Sequence, residues 1–174
     1  VLSDQVDGIY YKMMMRTKQV EVTSNPNKYS GSVVIPDKIE YRGVDYSVTS
    51  IEKNAFANCR DLTSLVIGND VTSIGDYAFY SCRSLTSVTI GSGVTNIGDF
   101  AFDDCRSLTA IMADGSNASY ASEDGVLLNK DKTTLVQYPQ GKSETSYAIP
   151  GSVRIIGMDA FRDCSNLTSV EIPG

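Results

Sequence analysis

From Val48 to Ser116 the chain states one pattern three times: VTSIEKNAFANCRDLTSLVIGND, VTSIGDYAFYSCRSLTSVTIGSG and VTNIGDFAFDDCRSLTAIMADGS. Val48, Val71 and Val94 are 23 residues apart, and the same step relates Ile51, Ile74 and Ile97; Phe56, Phe79 and Phe102; Cys59, Cys82 and Cys105; and Leu62, Leu85 and Leu108. A fourth copy, VRIIGMDAFRDCSNLTSVEIPG, opens at Val153. A period of this length, with hydrophobic residues in recurring slots, requires each unit to return the chain to the same place one layer further on. That is a solenoid of stacked coils.

The residues of one unit describe the coil. Leu85, Val88 and Ile90 stand in L-x-x-V-x-I, where Val88 and Ile90 share one face of a short strand by period-two alternation. Gly91 and Gly93 permit a tight bend, after which Val94 and Ile97 point a second wall inward. In G-D-F-A-F-D-D-C, Asp99 stands where an N-cap belongs, and Ala101, Phe102 and Cys105 face the core from one short helical or 3₁₀ turn. Eight inward positions out of 23 cannot close a core within one unit, so stacking is obligatory. The expected fold is therefore an α/β repeat solenoid with short parallel strands, short helical or 3₁₀ turns and inserted β-hairpins.

The pattern A-F-x-x-C-x-x-L-T-S-[VL]-x-I-[GP] resembles the BspA-like (Treponema pallidum-type) bacterial leucine-rich repeat, with about ten positions recurring in four copies. The segments D-G-I-Y-Y before V-I-P, and D-G-V-L-L-N-K before A-I-P, are similar to irregular units found between regular repeats of such proteins. The resemblance implies a secreted or cell-surface bacterial protein of the adhesin kind, binding host matrix proteins, glycans or other cells.

Along the chain, residues 1–32 are expected to form an N-terminal hairpin cap, with Ile9, Tyr11 and Met13 alternating against Val20 and Val22. Residues 33–47 supply the first rung and a hairpin, 48–113 the three regular repeats, 114–152 an irregular unit and 153–174 a last, uncapped repeat. The hairpin after Ile39 turns at Gly43 and is expected to project from the coil, carrying Tyr41 and Tyr46 either as binding anchors or as cross-strand partners. In the irregular unit Val126–Asn129 pairs with Thr134–Tyr138. Both Asn117 and Asn166 sit in N-x-[ST] triplets, which in a bacterial protein are incidental.

Chemistry is mostly excluded. There is no His in the chain, no C-x-x-C, no G-x-x-x-x-G-K and no complete G-x-G-x-x-G, so triad catalysis, zinc and nucleotide cofactors have no motif. Asp103 and Asp104 form a carboxylate pair, but at the end of a repeat's turn, where acids are usually just solvated. Cys59, Cys82, Cys105 and Cys164 fill one inward slot and are expected to be reduced, acting as small hydrophobes with parallel Cβ directions. A net charge of −6 argues against nucleic acid, and no apolar run reaches a membrane span. The chain opens at Val1 rather than a methionine, so an export signal or anchor is not legible.

Three surface features remain. Arg60, Arg83 and Arg106 follow the Cys slot in successive coils and form either a positive stripe for an anionic glycan or a partner's carboxylates, or a row neutralised by Asp61, Asp103 and Asp104. The outward sheet residues, among them Val34, Val66, Thr89, Met112 and Glu171, form a small-residue, weakly charged face suited to a protein or glycan ligand. The last repeat carries no polar cap, so either the natural protein continues past Gly174 or this end meets another copy; the expectation is that residues 152–174 associate end to end. Two readings stay open: a non-catalytic interaction module, and a structural spacer or self-assembling repeat without a foreign ligand.

Overall fold

The computed structural model describes residues 2–174. The rung strands Gly31–Ile35, Leu62–Ile67, Ser87–Ile90 and Ala110–Ala113 form one parallel four-stranded sheet in that spatial order. Its register pairs Leu65 with Val88 and Val88 with Ile111, so equivalent slots of successive repeats lie directly over one another. A second wall is built from Gln19–Val22, Val44–Ile51, Ser73–Ile74 and Asn96–Ile97, again parallel. Between the walls Val48, Ile51, Phe56, Leu62, Leu65, Val71, Ile74, Phe79, Leu85 and Val88 are all nearly inaccessible to solvent.

The third wall departs from expectation, because no helical or 3₁₀ segment forms in it. Residues with left-handed backbone recur every four positions in each turn: Asn54 and Asn58 (φ 60° and 61°), Tyr77 and Ser81 (φ 54° and 60°), Phe100 and Asp104 (φ 56° and 55°). Such residues end a right-handed helix at once. The amides then divide their bonds. Ala55, Ala57 and Cys59 bond back three residues, whereas Asn54, Phe56 and Asn58 donate to the carbonyls of Asp76, Ala78 and Tyr80 in the next coil. The wall is thus a ribbon of turns zipped from coil to coil. Asp99 caps nothing; its own N–H donates to Asp76 Oδ1 at 2.9 Å, one coil back.

Side chains extend this zipper. Thr72 and Thr95 hydroxyls donate to the carbonyls of Thr49 and Thr72, and Thr86 and Thr109 to those of Thr63 and Thr86. The cysteines take part too: the thiols of Cys82 and Cys105 each lie 3.1 Å from the carbonyl of the Phe one coil earlier, Phe56 and Phe79. Within the core the rings of Tyr29, Phe56, Phe79 and Phe102 form a ladder with centroid separations of 4.4, 5.6 and 5.4 Å.

Two irregular units share one plan. At the N-terminus Leu2–Val6, Ile9–Met14 and Gln19–Val22 form an antiparallel meander, with Tyr11 opposite Val22 and Met13 opposite Val20. In mid-chain Tyr120–Glu123, Val126–Asn129 and Thr134–Gln137 do the same, and Thr134–Gln137 runs parallel to Ile155–Ile156. Both begin with a two-residue turn of left-handed residues, Asp7-Gly8 and Asp124-Gly125 (φ 48°, 85° and 50°, 79°). The second is seated on the regular array through Ile111 N–H, which donates to Gly125 C=O. A separate small core of Val126, Leu128, Leu135, Tyr138, Ile149, Val153 and Ala160 follows, and Ser146–Ala148 pairs in parallel with Ser169–Glu171.

Asn117 locks the entry to the mid-chain unit. Its buried amide donates to the Gly91 and Val94 carbonyls at 2.9 and 3.0 Å, and its oxygen accepts the N–H groups of Ser119 and Tyr120 at 2.8 Å. An amide so engaged is a structural staple rather than an attachment point.

Candidate functional site

The outer face of the four-stranded sheet is uncovered. Val34, Val66, Thr89 and Met112 stand in register across all four strands, and Val34, Val66 and Met112 are 62%, 42% and 46% exposed. Beside them runs a row of Ser32, Ser64, Ser87 and Ala110, in which the Ser64 hydroxyl donates to that of Ser32 at 2.9 Å. Parallel alternation thus sorts the face into a mainly apolar row, broken by Thr89, and a mainly hydroxyl row, ended by Ala110. Glu171 is exposed but belongs to the separate pair Ser146–Ala148 and Ser169–Glu171, outside this sheet.

The arginine row is only partly free. Arg83 and Arg106 both clasp Asp104, at 2.8 and 2.6 Å. Burial would raise the Asp104 carboxyl, but hydrogen bonds from Ser81, Arg83 and Arg106 outweigh it and hold the group down at about 2. It is therefore a fixed anion, tying one coil to the next. Asp103 faces Arg162 at 3.6 Å. Arg60 is exposed and makes no ion pair among the described residues.

The two hairpin tyrosines separate. Strands Lys38–Tyr41 and Val44–Ile51 pair around Arg42-Gly43, as the turn chemistry requires. But Val44–Ile51 continues straight into the second wall, so Tyr46 shares the inward side with Val48 and is 3% exposed. It is a core residue and cannot anchor a ligand. Tyr41 is half-buried, its hydroxyl donating to Asp4 at 2.6 Å.

A groove that the sequence pattern did not single out crosses the turn wall. It is open, encloses about 770 Å³, and is lined in part by Lys53, Asn54, Asn58, Tyr77, Tyr80 and Phe100. Tyr77 and Phe100 stack at 5.1 Å with their planes 16° apart, and Tyr80 stands at 80° to Tyr77. The one signal available beforehand was an aromatic residue at 77 and 100, where the first copy has Asn54 and the last Asp159.

Burial raises every thiol, Cys105 to about 12 and Cys164 to about 11, so all are protonated at neutral pH. Cys59, Cys82 and Cys105 are buried and Cys164 is half-buried; all are unbridged. No group of three or more His, Cys, Asp or Glu that could hold a metal ion occurs among the described residues. Among the described residues no helix is long and apolar enough to cross a membrane. The geometry offers extended contact surfaces: the open sheet face and the groove of the turn wall.

The family described as BspA type leucine rich repeat region matches residues 36–125 and 137–174, in six copies. A leucine-rich repeat protein from Bacteroides ovatus ATCC 8483 is similar in structure over 98% of this chain, with 27% identity and a TM-score of 0.68; the chain spans 41% of that protein. The leucine-rich repeat protein of T. pallidum is similar over 99% of this chain and 72% of its own, with 25% identity and a TM-score of 0.65. One from Bacteroides capillosus ATCC 29799 shares the fold over 99% of both chains, with 22% identity and a TM-score of 0.59. No curated protein matches. With its regular coils, its rung register and more than half its length matched, the chain belongs to the BspA-type leucine-rich repeat family.

Proposed function

We propose that the chain is a non-catalytic interaction module of a bacterial cell-surface or secreted adhesin, and that it holds a host matrix protein or a neighbouring cell's protein on its open sheet. The observation that carries this reading is the in-register row Val34, Val66, Thr89 and Met112, a solvent-facing apolar line across four rigidly paired strands. Exposed apolar rows with a polar flank are how folded proteins present contact surfaces, and a sheet presents them without ordering cost. Surface location rests on the family resemblance. Immobilised chain should bind at least one of a panel of purified extracellular-matrix proteins saturably. Val66→Glu with Met112→Glu should weaken that binding at least about ten-fold while the melting temperature stays put. Binding that is indifferent to these two changes would remove the sheet face from the reading.

The second reading, self-association, has its own observation. Ile155, Met158, Val170 and Ile172 in the last coil are 59%, 73%, 38% and 71% exposed. In the third repeat Ile111, the equivalent of Val170, is instead buried, and its N–H donates to Gly125 C=O of the mid-chain unit seated there. An N-terminal unit of the same plan carries Gly8, beside which a side chain would meet open space. Sedimentation at rising concentration tests this: growth in mass abolished by Ile172→Lys supports it, and a monomer throughout sinks it.

A further inference from the structure

The left-handed slot of the turn wall is filled by Asn54, Tyr77, Phe100 and Asp159 in the four repeats, with φ of 60°, 54°, 56° and 56°. Asn and Asp enter this conformation readily because their short polar side chains bond locally; a bulky aromatic residue does so only under strain. The backbone therefore has no use for Tyr77 and Phe100. Nor has the core, since both rings are half-exposed while Phe79 and Phe102, two residues further on, are buried. Strained residues held against backbone preference mark functional surface more often than structural filler.

Among the residues lining the groove, cations outnumber carboxylates. Lys53 Nζ lies 5.8 Å from the Tyr77 ring centre and Arg162 Cζ lies 5.6 Å from that of Phe100, so a cation closes each end of the stack. Lys28 adds a third, its Nζ donating to Ala57 C=O at 3.1 Å. Arg162 is paired with Asp103 and Asp163 at 3.6 and 3.7 Å and Lys28 is held by a carbonyl, which leaves Lys53 as the cation facing the groove with its charge uncommitted. Lys53 has no ion-pair partner among the described residues. Rings stacked on each other leave their electropositive C–H edges for a ligand, and Tyr80, standing at 80° to Tyr77, makes a corner against them. Asn54 and Asn58 supply neutral donors and acceptors along the same strip.

We infer that this groove binds acidic oligosaccharides. Uronic or sialic acid residues combine what the lining asks for: a carboxylate for Lys53, hydroxyls for the asparagine amides, and hydroxyl and ring oxygens for the electropositive edges of the Tyr77–Phe100 stack. An acidic peptide also carries a carboxylate and amide-matching groups but lacks the dense hydroxyls of a sugar, so an acidic decapeptide is the control that separates the two. The groove lies on the turn wall, away from the sheet row, so this inference goes beyond the protein contact proposed above.

The test is calorimetric titration with a galacturonic acid hexamer, a hyaluronan hexasaccharide and 3′-sialyllactose, with maltohexaose and a glutamate decamer as controls. At least one acidic sugar should bind about ten-fold or more tightly than either control. Tyr77→Asn with Phe100→Asn restores the residue that suits the slot, so the double variant should fold at least as well by circular dichroism. It should nevertheless lose about ten-fold or more in sugar affinity. Lys53→Gln should erase the preference for acidic over neutral sugar, and Val66→Glu should change neither. The inference is overturned by no acidic sugar binding in the millimolar range, by equal binding of the glutamate decamer, or by undiminished affinity in the folded double variant.

Discussion

Phe79→Ala is the sharpest probe of how the coils hold together. The ring is 0% exposed and sits in the middle of the aromatic ladder, 5.6 Å from Phe56 and 5.4 Å from Phe102. Phe→Ala in a core costs about 3 to 5 kcal/mol, the spread depending on how far neighbours relax into the space. Here they have little freedom. Phe56 is held from its other side by Tyr29 at 4.4 Å, and the backbone at 79 is pinned by Phe79 N–H to Ala101 C=O at 2.9 Å. Two ring–ring contacts vanish with the side chain, each worth about 0.5 to 1.5 kcal/mol beyond area. The upper half of the range, about 4 kcal/mol, is therefore expected. Urea unfolding followed by tyrosine fluorescence and circular dichroism should show the midpoint falling by more than about 1 M at unchanged slope. Phe161, half-buried against Tyr138 and Tyr147 in the smaller core, should cost visibly less when truncated. A loss under about 1 kcal/mol at Phe79 would mean that the ladder does not bind the coils, and the stacked register would have to be abandoned.

The thiols should react with Ellman's reagent in two classes, half-buried Cys164 first and Cys59, Cys82 and Cys105 only on unfolding; simultaneous reaction of all four in the native protein would contradict the burial seen here. Burial raises Cys105 and Tyr29 to about 12 in the fold, so an unfolded chain releases these protons earlier, and stability should fall as pH rises beyond about 9. Asp104 shows the opposite sign: held at about 2 against an ordinary 3.8, it stabilises above pH 4, and that contribution is lost as pH falls through 2. Asp104→Asn should flatten the acid limb of the melting-temperature profile, and an unchanged limb would show that the Arg83 and Arg106 clasp contributes nothing. Asn117→Ala should cost about 3 kcal/mol in the same urea assay, because buried carbonyls and amides lose their partner; a neutral result would mean water replaces the amide.

The rungs were legible because their signal is local and periodic. L-x-x-V-x-I places Leu85, Val88 and Ile90 inward whatever lies next door, and stacking then follows from the step of 23. The turn wall was not legible, because what decides it is not in the segment itself: the cap-like Asp99 and the spacing of Ala101, Phe102 and Cys105 suit a short helical turn, and only the bonds from one coil's amides to the next coil's carbonyls show that it is a ribbon. Tyr46 was misplaced for a related reason. A hairpin arm read alone puts Tyr46 on a projection, whereas an eight-residue strand that also serves as the second wall puts it beside Val48. The groove at Tyr77 and Phe100 is visible only by comparing the copies with one another at a slot whose backbone angle the sequence does not state.

The coil-to-coil zipper has a mechanical consequence. Strands lie across the solenoid axis and the hydrogen bonds between coils lie along it, so a pull on the two ends opens bonds one coil at a time instead of shearing a whole strand at once. Each released coil of 23 residues lengthens the chain by roughly 75 Å, an extended contour of about 3.4 Å per residue less the layer it leaves. The molecule is in effect an extensible tether with evenly spaced steps and one longer step at the mid-chain unit. Because the Thr hydroxyls, joined at some layers by Asp76 or a Cys thiol, add side-chain bonds between coils, each step yields only after several small bonds open together, which sets a force scale per coil rather than per protein.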